Sequence, residues 1–204
     1  MSKKLFVFLP LLLIFTLLFG SLSYTNDASN DISTKVLRMH VLANSNSIND
    51  QRLKIAVKNN ILKSTQELFT DCNNLEESIE IAQSNTELIK ASAQEVIKKY
   101  NKNYDVKVYV DNEFFDVREY KDFTLPSGNY NTVKIVIGEG KGKNWWCVMY
   151  PNMCFAGNTY EVVEGKEKKQ MYQVFTVYEY KKLIESPDKE IHFKYFTKPE
   201  DKLY

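Results

Sequence analysis

Cys147, paired with either histidine of the chain, His40 or His192, has the makings of a thiol nucleophile and its base. A second cysteine, Cys154, lies close by, and a disulfide carries no thiolate. Residues 138–142 read GEGKG, a loose likeness to a phosphate loop. Such a loop must open a helix so that its N–H groups point at the anion. Here it runs into Asn144-Trp145-Trp146, a β-type stretch, so it is expected to be a hairpin tip, mobile and charged. The 26 acidic residues leave a glycosidase pair open, but no spacing singles one out. A DxD metal loop is absent, and the His and Cys spacings fit no zinc ligand set. No catalytic residue, metal or cofactor is assigned. Recognition chemistry is also on offer. Trp145 and Trp146 can stack on sugars or bind a peptide, and in a strand one would enter the core while the other faces out; burial of both, in the core or under a loop, is an equal alternative.

The elements that hold these residues read as α+β. Residues 24–33 form a polar, flexible lead-in. Leu37, Met39 and Val41 alternate with Arg38 and His40, which predicts a half-buried strand with a polar face. Asn44-Ser45-Asn46-Ser47 ends it. Asn49 or Asp50 is expected to cap a helix running to about Phe69. Leu53, Val57, Ile61, Leu62 and Leu68 line its buried side, with Arg52, Lys54, Lys58 and Lys63 opposite. Capping-box spacings at Asn74/Glu77 and Ser84/Glu87 predict helices over 75–83 and 85–100. Ile79, Leu88, Ala91, Ile97 and Tyr100 are expected to be their buried stripe.

From Tyr104 the period changes to two. Strands are expected over 104–112, 114–120, 130–137 and 144–150, mostly as an antiparallel meander. Residues 156–169 read as a loop. Thr176 with Glu179 predicts a helix to about Ile184, and 190–197 a final strand. No internal repeat is visible.

Residues 1–23 place the chain. Lys3 and Lys4 precede fifteen uncharged apolar residues and a Ser21-Leu22-Ser23 small-x-small pattern, the parts of a signal peptide or an uncleaved anchor. The remaining 181 residues carry about −1 charge, which disfavours a nucleic-acid ligand or attachment to anionic lipid. In an oxidising compartment the cysteines read differently. Cys147 and Cys154 flank the turn at Tyr150-Pro151-Asn152, and a bridge closing that loop contributes roughly 2.5 kcal/mol before strain. Cys72 is left as a buried thiol or an intermolecular site.

Two blocks carry a resemblance. Leu37–Ser47, LRMHVLANSNS, runs into a helix near Asp50-Gln51, and Gly142–Pro151, GKNWWCVMYP, ends in Cys154-Phe155. Together they resemble the stage II sporulation protein R family of endospore-forming bacteria, over about residues 34–155. That resemblance implies a signalling domain over 34–155; the residue pattern, and not the resemblance, gives a loop, short helix and closing strand over 156–204. The resemblance also implies secretion into the space between forespore and mother-cell membranes. There such a protein triggers a membrane-bound aspartic protease of the mother cell, which then processes a pro-sigma factor. The protein would be a signal and not an enzyme, with the Cys147–Cys154 bridge strapping the turn. The expected contact residues are Trp145, Trp146 and Tyr150, with Arg38, Asn44 and Ser45 as a second patch. Asn44 and Ser45 read equally well as turn and cap residues. Two rival classes stay open: a module that binds cell-wall glycan, and an exported hydrolase.

Overall fold

A computed structural model describes residues 12–16, 32–120, 123–153 and 171–184. The elements are β1 (Leu37–Leu42), α1 (Ile48–Thr65) with a 3-10 turn at Gln66–Phe69, α2 (Leu75–Ser84), α3 (Thr86–Lys99), β2 (Val106–Phe115), β3 (Arg118–Glu119), β4 (Thr124–Leu125), β5 (Gly128–Ile137), β6 (Asn144–Tyr150) and α4 (Val177–Ile184). The fold is α+β, as the periodicities imply. Most of the signal segment, Cys154, the 156–169 loop, His192 and the expected strand at 190–197 lie outside the described residues. Among those described, no helix is long and apolar enough to cross a membrane.

The main sheet has the order β2-β5-β1-β6. β1 runs parallel to β5 and antiparallel to β6, while β2 and β5 are antiparallel. The expected meander is therefore corrected. β5 and β6 are not partners, because β1 lies between them. Residues 138–142 are thus no hairpin tip but a connection that crosses the end of β1. Hydrogen bonds dock it there: Gly142 N to Ala43 O at 2.9 Å, Lys141 N to Asn44 O at 3.2 Å, and Lys143 N to Asn46 Oδ1 at 2.7 Å. The second expected strand, 114–120, is divided: Phe114 and Phe115 end β2, and Arg118–Glu119 pairs with Thr124–Leu125 as a separate short ribbon.

Each face of the main sheet is covered. Leu37, Met39, Val41, Val133, Ile135 and Ile137 pack against Leu53, Val57, Ile61, Ile89, Ala93 and Ile97 of the helices. On the other face, Tyr130, Val148 and Phe115 meet Ile32, Val36, Leu125, Met171, Phe175 and Leu183. Ile32 and Ser33, assigned by sequence to the flexible lead-in, are buried. The first four residues of β1 are fully or nearly fully buried on both sides, so the expected polar solvent face of β1 is also corrected.

Caps are local and mostly legible. Asn74 Oδ1 accepts from Glu77 N at 2.8 Å, while Glu77 Oε2 accepts from Asn73 N at 2.9 Å. Thr176 Oγ1 accepts from Glu179 N at 3.3 Å, and Glu179 Oε2 accepts from Thr176 N at 2.7 Å. Glu179 also pairs with Lys35 at 2.7 Å, tying α4 to the segment before β1. The cap of α1 is Ser47, not Asn49 or Asp50: its Oγ accepts from Asp50 N at 3.2 Å. At the second bend Asn85, not Ser84, occupies the cap position. The buried stripe of α3 is Ile89, Ala93, Val96 and Ile97, whereas Leu88, Ala91 and Tyr100 are exposed. Leu88 and Ala91 share a neighbouring helical stripe, Tyr100 stands at the C-cap, and the packing of α3 on α1 and β2 selects between the two stripes.

The approach of the 138–142 connection to the Ala43–Ser47 loop demands glycine. A Cβ on Gly142 would collide with the Ser45 carbonyl, a backbone atom that cannot swing aside. A Cβ on Gly128 would meet Ser33 Cβ at 3.5 Å, an ordinary contact. Gly142→Ala is expected to lower stability by about 1–3 kcal/mol in urea unfolding, with Gly128→Ala as the mild control. Equal effects of the two substitutions would refute the docked connection.

Candidate recognition face

The expected contact residues fall into three settings. The first is the loop at the end of β1. Asp50, 4 % exposed, receives Asn44 Nδ2 at 2.9 Å and Ser45 Oγ at 2.6 Å on Oδ2, and the Tyr104 hydroxyl at 3.1 Å on Oδ1. Burial pushes this carboxyl upward, but the hydrogen bonds from Asn44, Ser45, Tyr104 and Ser47 outweigh it and hold it below its ordinary value. Asn44 Oδ1 also accepts from Glu139 N at 3.0 Å. Both functional groups of Asn44 and the Ser45 hydroxyl are thus engaged inside the protein, which is the turn-and-cap reading of these residues.

The second setting is the helix-facing side of β6. Trp145 is half-buried against the helical core, and Lys58 Nζ lies 4.7 Å from its ring centre. Lys54, expected on the solvent side of α1, is buried instead. It donates to the carbonyls of Lys143 and Asn144 at 3.0 and 3.3 Å, which anchors α1 to the start of β6. Burial holds the Lys54 and Lys58 ammonium groups below the usual lysine range. Tyr150, 1 % exposed, is a core residue rather than a contact residue. Burial, with Cys72, Glu77 and Glu76 nearby, pushes its phenol up to about 12. Cys72 is a buried thiol raised to about 11 by burial and by Glu77 and Asp71, so little thiolate exists at neutral pH.

The third setting is the opposite face of the sheet. Register places Tyr109, Lys134, His40 and Trp146 in one row across β2, β5, β1 and β6. His40 stacks on Trp146 with ring centres 5.5 Å apart, and the Arg118 guanidinium carbon lies 3.7 Å from the Trp146 ring centre. His40 Nδ1 bonds Glu113 Oε2 at 2.9 Å, and Glu113 also pairs with Lys134. Burial raises the Glu113 carboxyl, but its bonds to Lys134 and His40 prevail and keep it low. A carboxylate accepts only, so the Nδ1 proton faces Glu113. Next to this row sits Arg38, fully buried, with its guanidinium carbon 3.9 Å from the Phe115 ring centre and 4.9 Å from that of Tyr130. Its Nη2 donates to the Tyr120 hydroxyl at 3.0 Å. Arg38 was expected on a contact surface; the Phe115, Tyr130 and Tyr120 rings cover it instead.

The two tryptophans therefore divide between faces, as strand alternation requires, and both are half-buried. The same alternation separates Cys147 from His40. Cys147 is opposite Met39 and shares its face, whereas His40 is opposite Trp146 on the other. These two side chains do not form the thiol and base considered from sequence. Among the described residues no group of three or more His, Cys, Asp or Glu side chains is placed to hold a metal ion. Sequence reasoning missed Arg118, Glu113, Lys134 and Tyr104. One signal was available for Arg118: the chain has only three arginines.

A family model for stage II sporulation protein R matches residues 33–160. The chain belongs to the stage II sporulation protein R family. It is 33 % identical over 140 residues to stage II sporulation protein R of Bacillus subtilis (strain 168), covering 68 % of this chain and 62 % of that protein. The match thus spans less than two thirds of the relative's length. No solved structure matches the chain. The family region contains the whole main sheet, α1 to α3, the Asp50 junction and the Trp146 face, while α4 lies beyond it.

The Asp50 junction should dominate acid sensitivity at this end of the sheet. A carboxyl lowered by folding contributes stability above its unfolded value, 3.8 in an ordinary aspartate, and loses it as pH falls through the lower folded value. Asp50→Asn is expected to destabilise by about 1–3 kcal/mol at neutral pH and to flatten the loss of stability below about pH 4. Chemical unfolding across pH tests this, and an Asp50→Asn profile parallel to the native one would contradict it.

Proposed function

We propose that the protein is an exported sporulation signal. It is made in the forespore, enters the space between the forespore and mother-cell membranes, and activates a membrane-bound aspartic protease that processes a mother-cell pro-sigma factor. The observation that carries this reading is the family match over the folded core, residues 33–160. The apolar run after Lys3 and Lys4 supports export. On this reading the protein acts by differential binding, holding the active form of the protease more tightly than the inactive form. The Trp146 face is the surface most suited to that contact, because it combines a half-buried aromatic with charged side chains. We further propose that Cys147 pairs with Cys154. That bridge would hold the turn after β6 in one shape and reduce the ordering cost of binding.

Reconstitution tests the reading. The chain is added under oxidising conditions to vesicles holding the protease and its pro-sigma substrate. Processing is expected only when the chain is present, and is expected to weaken after reduction or with Cys147→Ser. Trp146→Ala is expected to impair processing more than Trp145→Ala. A folded chain that leaves a competent protease silent would sink the signalling role.

A further inference from the structure

Arg38 is a cation buried in aromatic rings, and among the described residues it forms no ion pair with a carboxylate. Its Nε and Nη1 have no hydrogen-bond partner, and neither has Arg118 Nε or His40 Nε2. An unmet buried donor is costly, and more so on a charged group. Two of the three arginines in the chain thus stand on one face with donors to spare, while the third, Arg52, is exposed on α1. Among the described residues no acid forms an ion pair with Arg38 or Arg118, and Glu113 is committed to His40 and Lys134.

We propose that the Arg38–His40–Trp146–Arg118 cluster is the seat for an acidic peptide segment of a protein partner, one carboxylate of which pairs with the accessible part of the Arg118 guanidinium. Arg118 is only half-buried and forms the accessible side of the seat, and Arg38 supplies fixed positive charge behind it. The row from Tyr109 to Trp146 favours a peptide over a small anion. It ends in an aromatic on each side, Tyr109 being 47 % exposed, and so offers apolar contact to residues flanking the carboxylate.

This inference deepens the signalling reading by naming the chemistry of the partner's contact, and its test uses no protease. The full-length chain, kept in a nonionic detergent, is titrated with a short polyglutamate peptide, with polyglutamine of equal length and with inorganic phosphate. The arginine side-chain Nε–H signals are followed by NMR. Polyglutamate is expected to move the Arg38 and Arg118 signals and to leave Arg52 in place. Arg118→Gln is expected to weaken this binding by about 30-fold or more, with Arg118→Lys recovering part of it. Arg38 keeping its dispersed signal shows that the variant is folded, and the native titration stands without any variant. The seat is overturned if polyglutamate moves none of the signals, moves all three alike, or is matched by polyglutamine. An equal response to phosphate overturns the peptide assignment in favour of a general anion site. Loss of peptide binding beside intact processing would remove the seat and leave the signalling role standing.

Discussion

The carboxylate of Asp50 is the constraint on which the upper end of the sheet depends. One buried side chain accepts from Asn44 and Ser45 of the loop after β1 and from Tyr104 at the entry to β2, and its own N–H is capped by Ser47. The loop so fixed presents Ala43 O, Asn44 O and Asn46 Oδ1 to the 138–143 connection. That platform holds the chain where it crosses from β5 over β1 into β6. Charge-assisted hydrogen bonds are among the stronger ones, which suits a carboxylate to this organising task.

Placing β1 between β5 and β6 has a second consequence. A central strand is buried on both faces, so every side chain on it must be accommodated. Met39 and Val41 enter the helical core without difficulty. Arg38 and His40 cannot reach bulk water, and aromatic rings take its place: Phe115 and Tyr130 against the guanidinium, Trp146 against the imidazole. Cation–π contact offsets part of the desolvation cost of a guanidinium but does not supply its missing acceptors. Arg38 therefore builds a positive charge into this face, behind the partly exposed Arg118 and Lys134.

Apolar and polar chemistry are divided between the faces. The helix side is a closed apolar core with Trp145, Tyr150 and Cys72 in or beside it. The other side is closed at one end by Ile32, Val36, Leu125, Phe175 and Leu183, and carries polar chemistry at the other. The Lys35–Glu179 pair fastens α4 over the closed end, so this element outside the family region protects the same face.

The sequence by itself determined the α+β class, α1 to α4, the strands β1, β2, β5 and β6, the Asn74 and Thr176 caps, and the separation of the two tryptophans. These follow from side-chain period and short-range hydrogen bonding, which act within a few residues. It also held the motifs that mark the family. Tertiary structure alone decided that β1 is central, that GEGKG crosses it, and that Arg38 and Tyr150 are buried. Alternation along β1 says which residues share a face but not what covers that face. In α3 the apolar residues mark two adjacent stripes, Leu88–Ala91 and Ile89–Ala93, and only packing chose the second. Glu113, Lys134 and Arg118 reached the His40–Trp146 site from strands far along the chain, because strand pairing joins residues by register, which local pattern does not encode.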